Sequence, residues 1–214
     1  MKKLLIFDLD GTLLDTLEDL KSAVNFSLKK FGFPQRTTEQ IEKSMGNGFR
    51  HLVSTSLPDS CGEDTLEAVL SLAREYYREH FHDATCPYEG ILPLLEELKR
   101  ESYPLCIVSN KPHPMVRCLR ELFFRDLVAY AVGEIHGIQR KPDPEAIFAA
   151  MVHFNRTDAV YIGDSEVDIR TAENAGIPCI SVGWGFRREA DLRAAGAITV
   201  CATAEELRCA IKRL

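Results

Sequence analysis

From residue 90 onward, short apolar runs alternate with stretches of helical periodicity, and this alternation constrains the chain more than any other feature. Leu105–Ser109, Leu127–Val132, Ala159–Gly163 and Pro178–Val182 read as strands, being apolar, short and bounded by polar or turn residues. Between and after them, 90–100, 114–124, 143–153, 166–175 and 205–212 read as helices. One more strand is predicted over residues 3–8, where Leu4-Leu5-Ile6-Phe7 stops abruptly at Asp8. Strands joined through helices pair in parallel, so the expected fold is α/β with a doubly wound parallel sheet.

The segment between the first strand and the rest has a different pattern. Leu17, Leu20, Val24 and Leu28 recur at helical spacing, and Gly32 and Pro34 end that helix. A second helix is predicted from Thr37-Thr38 to Gly46. A third runs from about Glu63 to His82, with Leu66, Val69, Leu70, Ala73 and Tyr77 on one side. No strand is predicted between 15 and 84, and Pro87 and Gly90 in "CPYEGI" mark a hinge. The expected organisation is a Rossmann-like core of residues 1–14 and 85–214, with an all-helical domain of residues 15–84 inserted.

Composition excludes several classes. The net charge of −6, with acids and bases mixed along the chain, is no nucleic-acid footprint, and an anionic ligand must be attracted by local groups. The opening apolar run is too short for a signal peptide, and no run approaches a membrane span, so a cytoplasmic protein is expected. The seven cysteines lack any CxxC pair, and several lie in apolar strand-like runs; reduced, buried thiols are expected.

In such a sheet, ligands bind beyond the carboxyl ends of the strands. Asp8 and Asp10 follow the first strand, Ser109 and Asn110 the second. Lys141 lies on the loop after the third, and Asp164, Ser165 and Asp168 follow the fourth. Residues i and i+2 of an extended segment point the same way, so Asp8 and Asp10 can face one volume that Asp164 also reaches. Converging carboxylates repel unless a cation lies between them, and all-oxygen ligation suits magnesium. Ser109, Asn110, Lys141 and the backbone N–H groups around Gly11 are suitable partners for phosphate. A carboxylate attacks phosphorus without a separate base, and a second carboxyl can protonate the leaving alcohol and then activate water. The opposing repulsion, roughly 4 kcal/mol for two unit charges about 4 Å apart at an effective dielectric near 20, is what a cation and Lys141 would cancel.

"DLDGTLLDT" (8–16), "SN" (109–110), "KPDP" (141–144) and "GDSEVDI" (163–169) together resemble the four motifs of the haloacid dehalogenase-like hydrolases, in order and across essentially the whole chain. That resemblance implies a phosphatase working through an aspartyl-phosphate. Asp8 would be the nucleophile and Asp10 the general acid/base. Asp8, Asp164 and the Asp10 carbonyl would bind Mg2+, and Lys141 with Asp168 would complete the catalytic set. Gly11, Thr12, Ser109 and Asn110 would hold substrate, and the helical insert would be the family's cap. An acid at position 10 favours phosphoryl transfer over dehalogenation. "VSNKP", "MGNGFR" and "SVGWGF" are similar to the phosphoglycolate phosphatase branch, in which the loop 46–50 faces substrate and Arg50 pairs with its carboxylate. The expected partner is a small phosphorylated metabolite, and a monomer or homodimer is expected. A phosphomutase, a pyrophosphatase or nucleotidase, and a non-catalytic metal-dependent module are the rival readings.

Some residues carry competing readings. Lys111 also precedes a proline and rivals Lys141 as the motif lysine; Lys141 is preferred because it occupies its own strand-to-helix loop. Arg50 fits a surface salt bridge as well as a substrate contact, and Asp168 fits a first-turn helix acid. Trp184 is expected to pack a loop, His80 and His82 share no helix face, His113 is expected at the surface or the site's rim, and Asp15 is expected at the hinge.

Overall fold

The computed structural model describes residues 2–214. The chain divides into two compact units, one of Met1–Leu14 with Pro87–Leu214 and one of Asp15–Cys86.

In the first unit, β1 (Leu4–Phe7) is buried along its length. Burying such side chains stabilises by roughly 1.5–3 kcal/mol each, which fixes the strand as a stiff mount. It pairs in parallel with β4 (Leu105–Pro112) and with β6 (Ala159–Gly163). Adding β5 (Tyr130–Glu134), β7 (Cys179–Val182) and β8 (Thr199–Cys201) gives one parallel sheet in the order β5-β4-β1-β6-β7-β8. The chain winds outward from β1 through β4 to β5, then crosses back to β6 and winds the other way. The reversal places a crevice at the carboxyl ends of β4, β1 and β6, which is where such sheets bind ligands. Connections include α5 (Ile91–Arg100), α6 (His113–Phe124), α7 (Glu145–His153) and α8 (Glu166–Ala175). The predicted doubly wound sheet is therefore present.

Several boundaries differ from the sequence reading. β4 extends to Pro112, so Ser109 and Asn110 lie within the strand rather than after it. β5 begins at Tyr130, not Leu127, because the N–H groups of Leu127 and Val128 turn back to the Phe124 carbonyl at 2.9 and 3.0 Å. The short strand β8, helix α9 (Glu189–Ala194) and helix α3 (Phe49–Ser56) escaped the sequence analysis. The cysteines are all free, but only Cys106 and Cys201 are buried; Cys61, Cys179 and Cys209 are half-buried, and Cys86 and Cys118 are exposed.

In the second unit, α1 (Leu17–Lys30) buries Leu20, Val24 and Leu28, and α4 (Glu63–His80) buries Val69, Leu70, Ala73 and Tyr77. Thr37 caps α2 (Thr38–Lys43) in a reciprocal box with Gln40. Residues 46–50 do not form a loop throughout. Gly48 at φ 82° starts α3, so Arg50 sits in a first helical turn. The buried Asp19 carboxylate accepts from the N–H groups of Ala84 and Thr85, both at 2.9 Å, and from the Thr85 hydroxyl at 2.7 Å. This ties the last residues of the insert to its first helix. Asp15 lies in the two-residue strand β2 (Leu14–Asp15), which pairs with β3 (Cys86–Pro87).

Candidate active site

The crevice gathers four acids and two lysines on one sheet edge. Asp8 continues β1 directly. Its Oδ1 accepts from Leu9 N at 2.7 Å, and its Oδ2 lies 2.9 Å from Lys141 Nζ. The same ammonium donates to Asp168 Oδ1 at 2.7 Å and to the Tyr161 hydroxyl at 3.0 Å, which in turn donates to the Val108 carbonyl at 2.9 Å. Asp168 Oδ2 accepts from Ser165 N and Oγ at 3.0 and 2.7 Å, the N-terminal cap of α8. Asp164 takes the Thr12 hydroxyl at 3.0 Å and Phe186 N at 2.8 Å. Suitable oxygens of Asp8, Asp164 and Asp168 lie within 4.8 Å of one another.

Three glycines make room for this packing. A Cβ at Gly163 would stand 2.3 Å from the Asp168 carboxyl carbon, and one at Gly185 would stand 2.5 Å from the Asp164 Cβ. At Gly11 it would stand 2.3 Å from Asp164 Oδ2, and φ there is +82°, so the turn requires glycine twice over.

Burial, opposed by Lys141 and aided by Asp168 and Asp10, leaves the Asp8 carboxyl raised to about 7. Asp164 is raised well above the carboxylate range, first by burial and then by Asp168 and Asp8. Burial opposes the charge on Lys141, but Asp168 and then Asp8 outweigh it and leave the ammonium above its ordinary range. For the Lys141–Asp8 contact we take the lysine as charged, with Asp8 as the strained partner, since two carboxylates share one ammonium and a third, Asp164, lies close to both. If all are ionised, Asp8, Asp10, Asp164 and Asp168 exceed Lys111 and Lys141 by two negative charges. The donor set is all oxygen, and that excess is what a divalent cation cancels, so these residues fit magnesium.

The structure distributes the sequence-predicted residues unevenly. Lys111 and Lys141 both enter the site. Lys141 serves Asp8, whereas Lys111 Nζ lies 2.8 Å from Asp10 Oδ1. The carboxylate grouped with Asp8 and Asp164 is that of Asp168, while the Asp10 side chain turns to Lys111. The Asn110 amide, expected on phosphate, bonds the Lys141 backbone at both ends, at 3.0 and 2.8 Å. Gly11 N–H is likewise taken, by the Leu14 carbonyl at 2.9 Å, and the Thr12 hydroxyl by Asp164. These three hold the site's shape. Ser109 is buried beside them, and its Oγ accepts from Lys111 N at 3.2 Å. Arg50, in the other unit, pairs with Glu63 and Glu67 on an exposed face, which is the salt-bridge alternative. Trp184 packs the predicted loop, its Nε1 donating to the Thr12 carbonyl at 3.0 Å. The sequence reading missed Tyr161. A tyrosine in an aliphatic strand needs a partner for its hydroxyl, and that was the available signal.

The haloacid dehalogenase-like hydrolase family model matches residues 5–182, which include Asp8, Asp10, Lys111, Lys141, Asp164 and Asp168. The chain belongs to the haloacid dehalogenase-like hydrolases. It is 34% identical over 194 residues to phosphoglycolate phosphatase 1 of Pseudomonas aeruginosa, covering 87% of this chain and 71% of that one. It is 33% identical over 193 residues to the phosphoglycolate phosphatase of Rhodobacter capsulatus, covering 88% and 87%. A crystal structure of a candidate phosphoglycolate phosphatase from Lactobacillus delbrueckii subsp. bulgaricus superposes with a TM-score of 0.94 at 36% identity, covering 99% of both chains. Among the described residues of this family member, no helix is long and apolar enough to cross a membrane.

Proposed function

We propose that this hydrolase is a magnesium-dependent phosphatase of small phosphomonoesters that works through an aspartyl-phosphate on Asp8, with 2-phosphoglycolate as the first substrate to test. The observation that carries the reading is Asp8 itself. It is a buried carboxylate at the end of a rigid strand, 2.9 Å from a lysine and grouped with two further acids. In this reading Asp8 attacks phosphorus in line with the leaving oxygen. Asp10 gives that oxygen a proton, then takes one from the water that releases phosphate. Lys141, held by Asp168 and Tyr161, binds the phosphoryl oxygens together with the Ser109 hydroxyl.

Asp8 and Asp164, with the main-chain carbonyl of Asp10, would hold magnesium. Bound there, it supplies positive charge to the phosphoryl oxygens. Asp168 serves Lys141, since both its oxygens already accept hydrogen bonds. The helical unit is read as the family's cap, and the protein as cytoplasmic, a monomer or homodimer. The similarity to proteins named phosphoglycolate phosphatase supports the substrate choice.

The test is phosphate release from 2-phosphoglycolate and from 4-nitrophenyl phosphate, with magnesium and with chelator. Magnesium-dependent release of inorganic phosphate by the wild type, absent in Asp8→Asn, is expected. Equal inactivity of both proteins across a panel of esters would overturn the reading.

A further inference from the structure

Asp10 is held by Lys111, to which the chemistry above gives no role. We propose that Lys111 is a positioning residue for Asp10, holding one carboxylate oxygen so that the other faces the departing oxygen of the ester. This rests on the phosphatase reading.

Lys111 Nζ donates to Asp10 Oδ1 at 2.8 Å, with the lysine side chain only 2% exposed and the aspartate 17%. An ammonium stripped of water needs a carboxylate in return, so the pair holds firmly once formed. The backbone on both sides is fixed. Lys111 N–H donates to Ser109 Oγ at 3.2 Å, and its carbonyl packs so closely on Gly133 that a Cβ there would stand 2.3 Å away. Asp10 forms a β-bridge with Leu14, and the next N–H, that of Gly11, also goes to Leu14. The remaining freedom of Asp10 is in its side-chain torsions, and the hydrogen bond from Lys111 Nζ to Oδ1 removes it whether or not Oδ2 carries a proton. Asp8 and Asp10 thus meet different lysines, Lys141 for Asp8 and Lys111 for Asp10.

The chemical consequence follows the leaving group. As the bond from Asp8 to phosphorus forms, the ester P–O bond breaks and its electron pair stays on the leaving oxygen. That oxygen takes the proton of the Asp10 carboxyl through Oδ2, and the Asp10 carboxylate remains beside the Lys111 ammonium. An alkoxide needs that proton to leave, while nitrophenolate leaves as a stable anion. Loss of Lys111 should therefore penalise an alkyl ester selectively.

The experiment measures kcat/KM, which reports the step up to aspartyl-phosphate formation, for 2-phosphoglycolate and 4-nitrophenyl phosphate. Lys111→Met should lower kcat/KM for the alkyl ester by at least about tenfold more than for the aryl ester, and Lys111→Arg should restore part of the difference. In an Asp10→Asn background, Lys111→Met should cost nothing further on whichever ester the wild type hydrolyses. That double variant removes both charges together, so it keeps the test open should the single variant not fold. Equal losses on both esters would overturn the positioning role alone. A loss that persists in the Asp10→Asn background would make Lys111 a direct substrate contact and also overturn it. A wild type inactive toward every ester would sink the phosphatase reading, and this role with it.

Discussion

Lys141 and Arg50 each hold two carboxylates, yet they sit in opposite surroundings. Lys141, on the sheet edge of the core unit, pairs with Asp8 and Asp168 with its side chain 3% exposed. Arg50, on α3 of the helical unit, pairs with Glu63 and Glu67 with its side chain 40% exposed. Water screens the second cluster and leaves its charges little to gain from one another, whereas the first must be compensated internally or not at all. The same arrangement of charges is buried and internally compensated in one unit and exposed to solvent in the other.

The difference can be broken most sharply at Lys141. Lys141→Met leaves Asp8 and Asp168 buried without their cation, and breaking such a pair costs about 3–5 kcal/mol. Chemical denaturation should show a lowered midpoint, and kcat/KM should fall by at least about a hundredfold through loss of phosphoryl binding.

Asp8→Asn should act on stability in the opposite sense. A carboxyl raised to about 7 in the folded protein holds its proton more tightly than in the unfolded chain. The folded state then loses stability as pH rises from the unfolded value near 4 through about 7, and the penalty is complete above that. With magnesium removed by chelator, Asp8→Asn should be the more stable protein at pH 8, by on the order of 2–4 kcal/mol. That gain should vanish towards pH 4. A gain independent of pH would show that burial of the Asp8 charge is not its source.

Burial rather than location should decide the remaining cases. Asp19 lies in the helical unit but is buried, and it satisfies the N–H groups of Ala84 and Thr85 and the Thr85 hydroxyl. Asp19→Ala should cost about 2–3 kcal/mol by denaturation, since it leaves those donors without their charged acceptor. Arg50→Ala should be the mildest change. Its melting temperature should match the wild type, and it should not discriminate between carboxylate-bearing and neutral esters. A selective loss of 2-phosphoglycolate hydrolysis in this variant would return Arg50 to the substrate site.

Part of the sheet edge was legible in the sequence because Asp8 and Asp164 follow from two simple facts. Strand ends are where apolar runs stop, and neighbouring strands bring their ends together. The turn residues were harder. Gly11, Thr12 and Asn110 are suitable phosphate partners by type, but their donors already serve Leu14, Asp164 and the Lys141 backbone, and only the fold shows that competition. Lys111 and Lys141 posed a choice in the sequence that the structure dissolves, since each reaches a different acid. The missed elements have local causes. Two glycines mask the start of α3, and β8 is too short to carry a periodicity signal.

The passage of the phosphoryl group through Asp8 is tested most directly by acid-quenching the Asp10→Asn variant during turnover of 4-nitrophenyl phosphate, whose leaving group needs no proton from Asp10, and mapping the adduct by peptide mass spectrometry. Asp10→Asn should slow breakdown of the intermediate, so a phosphoryl group is expected on the peptide carrying Asp8, absent when Asp8 is also replaced. Turnover that continues without Asp8, or an adduct on a different residue, would contradict it.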